Sequence, residues 1–160
     1  MIRSEIWYEL SSAIYGAKYI SLYLSQVKKR LSLIEYLSIV FIIGGAIGWY
    51  KIGQYSEIWM LIIIAAKLVH YFRGKILMTT ERIIELKGFE SHLIYKKIEL
   101  EDLWVKLNTN KVTDEQSLAK IKKLKKMELA EKLDIQQIPN NKELNIIASK
   151  YRNDYLIKFI

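Results

Sequence analysis

Histidine and cysteine, two side chains that often act in catalysis, are scarce or missing in this chain. Among the 160 residues there are only two histidines, His70 and His92, and no cysteine. Disulfides, thiol catalysis and cysteine metal sites are therefore excluded. The motifs of zinc and serine hydrolases, of P-loops and of dinucleotide folds are also missing. The sequence predicts a protein that is not an enzyme and that uses neither a metal nor a cofactor.

The most informative polar residues are Glu35 and Lys67, which interrupt two otherwise apolar runs. An ionisable side chain inside an apolar membrane segment is costly and by default indicates a function. One interpretation is that both side chains reach to the membrane interface. In the other, Glu35 and Lys67 face each other or, together with His70, line a water-filled path between subunits and control permeation.

The two apolar runs lie within residues 31–72, and residues 36–50 carry no charge. A helix needs about 20 mostly apolar residues to cross a bilayer. The runs leave no polar face such as a surface helix would have. Aromatic residues cluster around the break between the runs, as in the aromatic belt of a membrane protein: Trp49, Tyr50, Tyr55 and Trp59. This pattern predicts a two-helix transmembrane hairpin, and the alternative is a buried helical hairpin in a soluble bundle.

Basic residues flank the predicted hairpin: Lys28, Lys29 and Arg30 before it, and Arg73 and Lys75 after it. The intervening loop carries only Lys51 and Glu57. By the positive-inside rule, both termini are expected in the cytoplasm and the loop outside.

Two glycines in the first run, Gly44 and Gly48, form a small-xxx-small pair. Such a pair lets membrane helices approach closely. We expect these glycines at a helix contact, made either with the second run or with another subunit.

The remaining segments are predicted to be helical. Residues 1–30 form an amphipathic N-terminal helix whose apolar residues recur at spacings of three and four: Ile6, Leu10, Ala13, Ala17, Ile20 and Leu24. Residues 73–160 form a cytoplasmic helical region, although 82–107 is also compatible with short β-strands. Thr113 and Gln116 match a capping box that opens a helix running to about Leu133. A last helix is expected from about Lys142 to Leu156. The predicted fold class is therefore all-α, with the transmembrane hairpin at 31–72.

The net charge of +8 indicates contact with an anionic partner. The lysines are dense in the helix after Thr113, at Lys122, Lys123, Lys125 and Lys126. Such a run of lysines is usually just the solvent-exposed side of a helix. The functional alternative is that it binds anionic lipid or nucleic acid.

The pattern resembles the SLATT-like two-transmembrane effectors of bacterial anti-phage defence, and it is also similar to the Hailong-type membrane effectors. The resemblance is carried by Ala13-Ile14-Tyr15-Gly16-Ala17-Lys18, by the apolar runs at 31–72 and by Glu81-Arg82-Ile83-Ile84-Glu85. It covers about the first 95 residues and not the C-terminal third. It implies a homo-oligomeric pore in the bacterial inner membrane. It further implies a nucleotidyltransferase partner, or a nucleotide or oligonucleotide signal that opens the pore.

Three functions follow as hypotheses. The leading one is an oligomeric, ion-conducting effector in the lipid bilayer that stops growth of infected cells. The second is a membrane-anchored scaffold that recruits a partner through its basic helices. The third is a soluble basic helical protein that binds nucleic acid.

Overall fold

The computed structural model describes the backbone of residues 2–51, 56–76, 78–130 and 138–159. It describes their side chains except at 45–51, 56, 59, 69–70, 72–76 and 129–130. These residues form five α-helices and a 3-10 turn: α1 (Ile2–Lys51), α2 (Ser56–Ile76), α3 (Thr80–Asn108), α4 (Asp114–Ala130), α5 (Lys142–Leu156) and Ile157–Phe159. No strand occurs among the described residues, so the helical interpretation of 82–107 is confirmed and the β interpretation is wrong.

The first helix is longer than the sequence analysis predicts. It continues from Ile2 to Lys51 through Lys28, Lys29 and Arg30, where the amphipathic helix was expected to end. Lysine and arginine have high helix propensity, and the chain's single proline lies at position 139. Basic residues therefore mark a change of composition along α1 without ending the helix.

The transmembrane hairpin predicted at 31–72 is wrong as a fold assignment. Within the described residues, no helix has both the length and the apolar character needed to cross a bilayer. The longest charge-free stretches in this region are residues 36–50, which follow Glu35, and 58–66, which precede Lys67. Both are shorter than the roughly 20 residues that a span requires.

The chain divides into two compact units, which are described separately. Unit 1 comprises residues 1–23 and 84–160, and unit 2 comprises residues 24–83. Helices α1 and α3 each contribute to both units.

The core of unit 1 lies between α1, α3 and α4, and Leu156 of α5 joins it. The apolar spacing predicted for α1 is confirmed, because its six residues are all buried, with Ile6 and Leu10 fully so. Nine buried side chains form the main cluster: Ile6, Leu10, Ile14, Leu100, Leu103, Leu107, Ile121, Leu124 and Leu156. Helices α1 and α3 approach closely at Gly16, where an added Cβ would lie 3.0 Å from Leu93 Cδ1.

Local signals set the helix ends in unit 1. The capping box is confirmed: the Thr113 backbone N–H donates to Gln116 Oε1 (3.1 Å), and the Gln116 N–H donates to Thr113 Oγ1 (3.3 Å). Asn110 adopts a left-handed conformation (φ 52°) just after α3, as is common beyond a helix C-terminus. Asn141 caps α5 by accepting the backbone N–H groups of Glu143 and Leu144. The predicted bounds of α5 are confirmed.

A buried ion network crosses this core. Lys96 is 3% exposed, and its Nζ donates to Glu9 Oε2 (2.8 Å) and to Glu128 Oε2 (2.5 Å). Lys125 Nζ lies 3.0 Å from both Glu9 and Glu5. The network therefore joins α1, α3 and α4 around one buried ammonium group.

The buried ammonium of Lys96 should be required for stability. Removing this cation takes away the ion-pair partner of Glu128 and leaves the buried carboxylate of Glu9 with Lys125 alone, which destabilises by about 3 kcal/mol. We expect Lys96→Met to lower the free energy of unfolding by this amount in urea denaturation followed by circular dichroism. Lys106→Met, which removes a half-exposed lysine of α3 from its exposed ion pair with Asp102, is the control and should change it by less than about 0.5 kcal/mol. Equal effects of the two variants would contradict the prediction.

Glu9 should add a pH-dependent contribution to stability. Burial raises the pKa of Glu9, but hydrogen bonds from Lys96 and Lys125 outweigh this and hold the pKa below its ordinary value of 4.5. A depressed folded-state pKa means that the carboxylate stabilises the fold above pH 4.5. That stabilisation is lost as the pH falls through the folded-state value. Below pH 4.5, the unfolding free energy of Glu9→Gln should therefore fall less with decreasing pH than that of the parent protein. An unchanged pH profile of the unfolding free energy would show that Glu9 is not responsible.

Candidate functional site

Unit 2 exposes an extensive set of large apolar side chains, which we call the apolar surface. On α1 they are Leu33, Tyr36, Leu37, Ile39, Val40, Phe41, Ile42 and Ile43. On α2 they are Ile58, Met60, Leu61, Ile64, Leu68 and Tyr71. Soluble monomers rarely expose large contiguous apolar patches, and such a surface marks a site of interaction.

The apolar surface surrounds α1 completely over one stretch. Residues 39–43 are five consecutive large apolar residues, and each is exposed. An α-helix turns once in 3.6 residues, so five consecutive side chains cover its whole circumference. Within this stretch α1 therefore has no polar side facing water.

The two helices of unit 2 enclose an apolar groove of about 280 Å³. Its lining comprises Ile34, Leu37, Ser38 and Phe41 of α1 and Ile62, Ala65 and Ala66 of α2. The small side chains of Ala65 and Ala66 let α2 approach α1, and Ala66 is only 7% exposed. On the α2 side this groove is thus lined by Ile62 and by the two small residues.

The two charged residues predicted to control permeation both lie in unit 2. Glu35 is exposed on α1, and Lys67 is exposed on α2. Lys67 lines a second groove of about 620 Å³ together with Ser38, Ile42 and Tyr71. The third predicted residue, His70, lies in α2, but its side chain is outside the described residues. A role of these residues in permeation stays a prediction.

The predicted glycine contact is only partly described. A Cβ added at Gly44 would meet no side chain or neighbouring helix of the described residues within 4 Å. The surroundings of Gly48 lie outside the described side chains. A close contact at these glycines with another subunit stays a prediction.

Three exposed basic residues, Lys28, Lys29 and Arg30, directly precede the apolar surface on α1. The sequence analysis used them for topology and did not include them among the binding residues. The signal in the sequence is their position next to an apolar run.

The lysines predicted to bind an anionic surface fall into two groups. Lys122, Lys123 and Lys126 are exposed on α4. Lys125 instead makes ion pairs with Glu5 and Glu9, and hydrogen bonds from its ammonium group to these carboxylates raise its pKa. Its partners are about 120 residues away in the chain, so sequence spacing could not identify them.

The chain matches no protein-family model, no curated protein and no solved structure. The resemblance to SLATT-like effectors therefore stays a prediction.

The two groups of lysines should differ in their effect on stability. Lys125→Gln leaves Glu5 and Glu9 without a shared cation, so we expect a loss of about 1 kcal/mol in the unfolding free energy. The matched triple variant Lys122→Gln, Lys123→Gln and Lys126→Gln removes three exposed charges and should lose less than Lys125→Gln alone. Urea denaturation of both variants measures the difference. A larger loss in the triple variant would mean that the exposed lysines also stabilise the fold.

Proposed function

We propose that this protein is a membrane-attached scaffold. Unit 2 buries its apolar surface in lipid, and unit 1 is the folded helical part that is thereby held at the membrane. The observation that carries the proposal is the exposure of large apolar side chains around the whole circumference of α1 at 39–43.

Lipid suits this surface better than a protein groove does. A groove covers one side of a helix, whereas a lipid phase surrounds it and can cover every side. Burying one Ile, Leu or Phe side chain contributes about 1.5–3 kcal/mol, so several together are sufficient for attachment. An apolar stretch shorter than a full span can enter the bilayer from one side, as a re-entrant segment, without crossing it.

The basic flank of α1 favours an anionic membrane. Lys28, Lys29 and Arg30 are exposed and directly precede the apolar surface. Each basic residue near an anionic membrane surface contributes about 1 kcal/mol. The three together should raise the partition coefficient about a hundredfold, since 1.4 kcal/mol corresponds to a factor of ten.

Unit 1 supplies the recruiting part of the scaffold. Its exposed lysines on α4, Lys122, Lys123 and Lys126, form a basic surface that suits an acidic partner. These residues are separate from the buried ion network that stabilises unit 1, so a partner can engage them without disturbing the fold.

Vesicle flotation tests the lipid contact. The full chain should float with vesicles that contain anionic lipid and should bind about a hundredfold more weakly to neutral vesicles. Replacing Lys28, Lys29 and Arg30 by Gln should abolish the preference for anionic vesicles. Replacing Ile39, Ile43 and Leu61 by Ser should reduce binding to both kinds of vesicle, because these side chains are 56%, 55% and 66% exposed in unit 2.

The control replaces exposed apolar residues of unit 1, Ile146 and Ile157, by Ser. They are 61% and 68% exposed but lie outside the apolar surface. This variant should bind vesicles like the parent. If the unit 2 variant floats as well as the parent, the apolar surface is not the lipid contact and the proposal fails.

A pore is the second candidate, and it is favoured by the charged residues Glu35 and Lys67 within the apolar surface. The same vesicles, loaded with a fluorescent dye, separate the two functions. A scaffold binds without releasing the dye, whereas a pore releases it, and Glu35→Gln or Lys67→Met should then change the rate of release.

A further inference from the structure

Unit 1 contains a cleft of about 430 Å³, whose lining includes Tyr15, Tyr19, Phe89, Glu128 and Asn145. We call it the unit 1 cleft. Its lining comes from α1, α3, α4, α5 and the segment that precedes α5, so residues far apart in the sequence meet there. Cavities of about 300–1,000 Å³ are the usual size of small-molecule sites in proteins. The volume of the cleft is therefore sufficient for a small ligand.

Part of the lining is apolar and buried. Ile20 of α1 and Phe89 and Leu93 of α3 are each no more than 5% exposed, and all three line the cleft. Small-molecule sites combine such side chains, which contact the body of the ligand, with a few polar groups that orient it. The apolar lining thus suits a ligand with an aliphatic or aromatic body.

Hydrogen bonds hold the polar part of the lining in place. The Tyr15 hydroxyl donates to Asn145 Oδ1 (2.7 Å) and thereby joins α1 to α5. The Tyr19 hydroxyl donates to the Pro139 carbonyl oxygen (2.6 Å) and accepts the backbone N–H of Asn141 (3.0 Å). The rings of Tyr15 and Tyr19 stack with their centroids 6.1 Å apart. Because these contacts exist without a ligand, binding requires little further ordering of the cleft.

The charge at the cleft is negative. Among the lining residues that the structure describes, Glu128 is the only one with a charged side chain. Its Oε2 atom meets Lys96, which also pairs with Glu9, and Lys125 pairs with both Glu9 and Glu5. This connected group contains three carboxylates but only two ammonium groups. It therefore has one excess negative charge, and Glu128 is its member at the cleft.

Neighbouring cations do not compensate this charge inside the cleft. The guanidinium group of Arg152 lies 6.0 Å from the centroid of the Tyr15 ring, but Arg152 does not line the cleft. Lys122, Lys123 and Lys126 of α4 are exposed, so water and salt screen their charges. An excess negative charge at a binding site favours a cationic ligand and disfavours an anionic one.

We propose that the unit 1 cleft binds a small organic amine. The apolar or aromatic body of the ligand lies against Ile20, Phe89 and Leu93, and its protonated amino group pairs with the carboxylate of Glu128. The site lies in unit 1 and is independent of the lipid contact proposed for unit 2.

Three probes with the same aromatic ring and different charges test the ligand class: phenylethylamine, phenylethanol and phenylpropionate. Isothermal titration calorimetry of the full chain measures their affinities. Phenylethylamine should bind at least about tenfold more tightly than phenylethanol, because an ion pair with Glu128 adds a charged hydrogen bond. Phenylpropionate should bind most weakly, because its carboxylate meets a carboxylate.

Glu128→Gln tests the ion pair, since it removes the charge and nearly preserves the size of the side chain. It should weaken the binding of phenylethylamine about tenfold and leave that of phenylethanol unchanged. The matched control is Glu115→Gln, which removes an exposed carboxylate of the same helix outside the cleft. This control should bind all three probes like the parent.

A second variant leaves the ion network intact. Ser12 is exposed and lines the cleft, so the phenyl ring of Ser12→Phe should occupy part of it. Phenylethylamine and phenylethanol should then both bind at least about fivefold more weakly, because the cleft is smaller. Ser91→Phe, at an exposed serine of α3 outside the cleft, is the control and should leave both affinities unchanged.

The opposite results overturn the proposal in distinguishable ways. If phenylethylamine does not bind the parent at millimolar concentration, the cleft is not an amine site. Equal affinities for the three probes would show that the charge of Glu128 does not select the ligand. Binding that neither Glu128→Gln nor Ser12→Phe weakens would place the amine elsewhere on the protein. Vesicle flotation of Ser12→Phe separates this proposal from the lipid contact, since the variant should float like the parent.

Discussion

The buried ammonium group of Lys96 is the contact on which the arrangement of unit 1 depends. It comes from α3 and meets carboxylates of α1 and α4, in a unit whose main core cluster consists of aliphatic side chains. An apolar core alone would tolerate small rotations of its helices about their axes, because dispersion contacts have little directional preference. A buried cation tolerates far fewer arrangements, since each alternative leaves a charge without compensation. The network thereby fixes which sides of the three helices face inward, and consequently which sides face outward.

The sides of α3 and α4 that face outward are determined in the same way. Because Lys96 points into the core, its near neighbours in the sequence, Tyr95 and Ile98, are directed away from it. The same constraint on α4 turns Lys125 towards Glu5 and Glu9 and leaves Lys122, Lys123 and Lys126 exposed. The ion network around Lys96 thus helps to determine which apolar residues of α3 and which lysines of α4 are exposed.

Local patterns were sufficient to predict much of this fold, and long-range contacts were not. The capping box at Thr113, the bounds of α5 and the buried spacing of α1 each depend on residues within one or two helical turns. In the ion network, Glu9 pairs with Lys96, which lies 87 residues further along the chain. The spacing of residues within one helix carries no information about such pairs. Lys125 was consequently grouped with its exposed neighbours. The transmembrane hairpin was inferred from apolar composition, which does not distinguish a helix that crosses a bilayer from shorter apolar segments interrupted by Glu35 and Lys67.

The two units show how similar composition can serve different purposes. In unit 1, the apolar residues of α1 recur with helical spacing, so one side is buried against other helices and the polar side remains in water. In unit 2, the apolar residues of the same helix are consecutive, and no arrangement with a single partner helix can cover all of them. The backbone of α1 continues unbroken through Lys28, Lys29 and Arg30. The environment that the helix requires changes there, from a protein core before these residues to an apolar environment on all sides after them. A continuous helix that passes from a protein core to an apolar surface, with basic residues at the change, suits a protein that connects a folded unit to lipid.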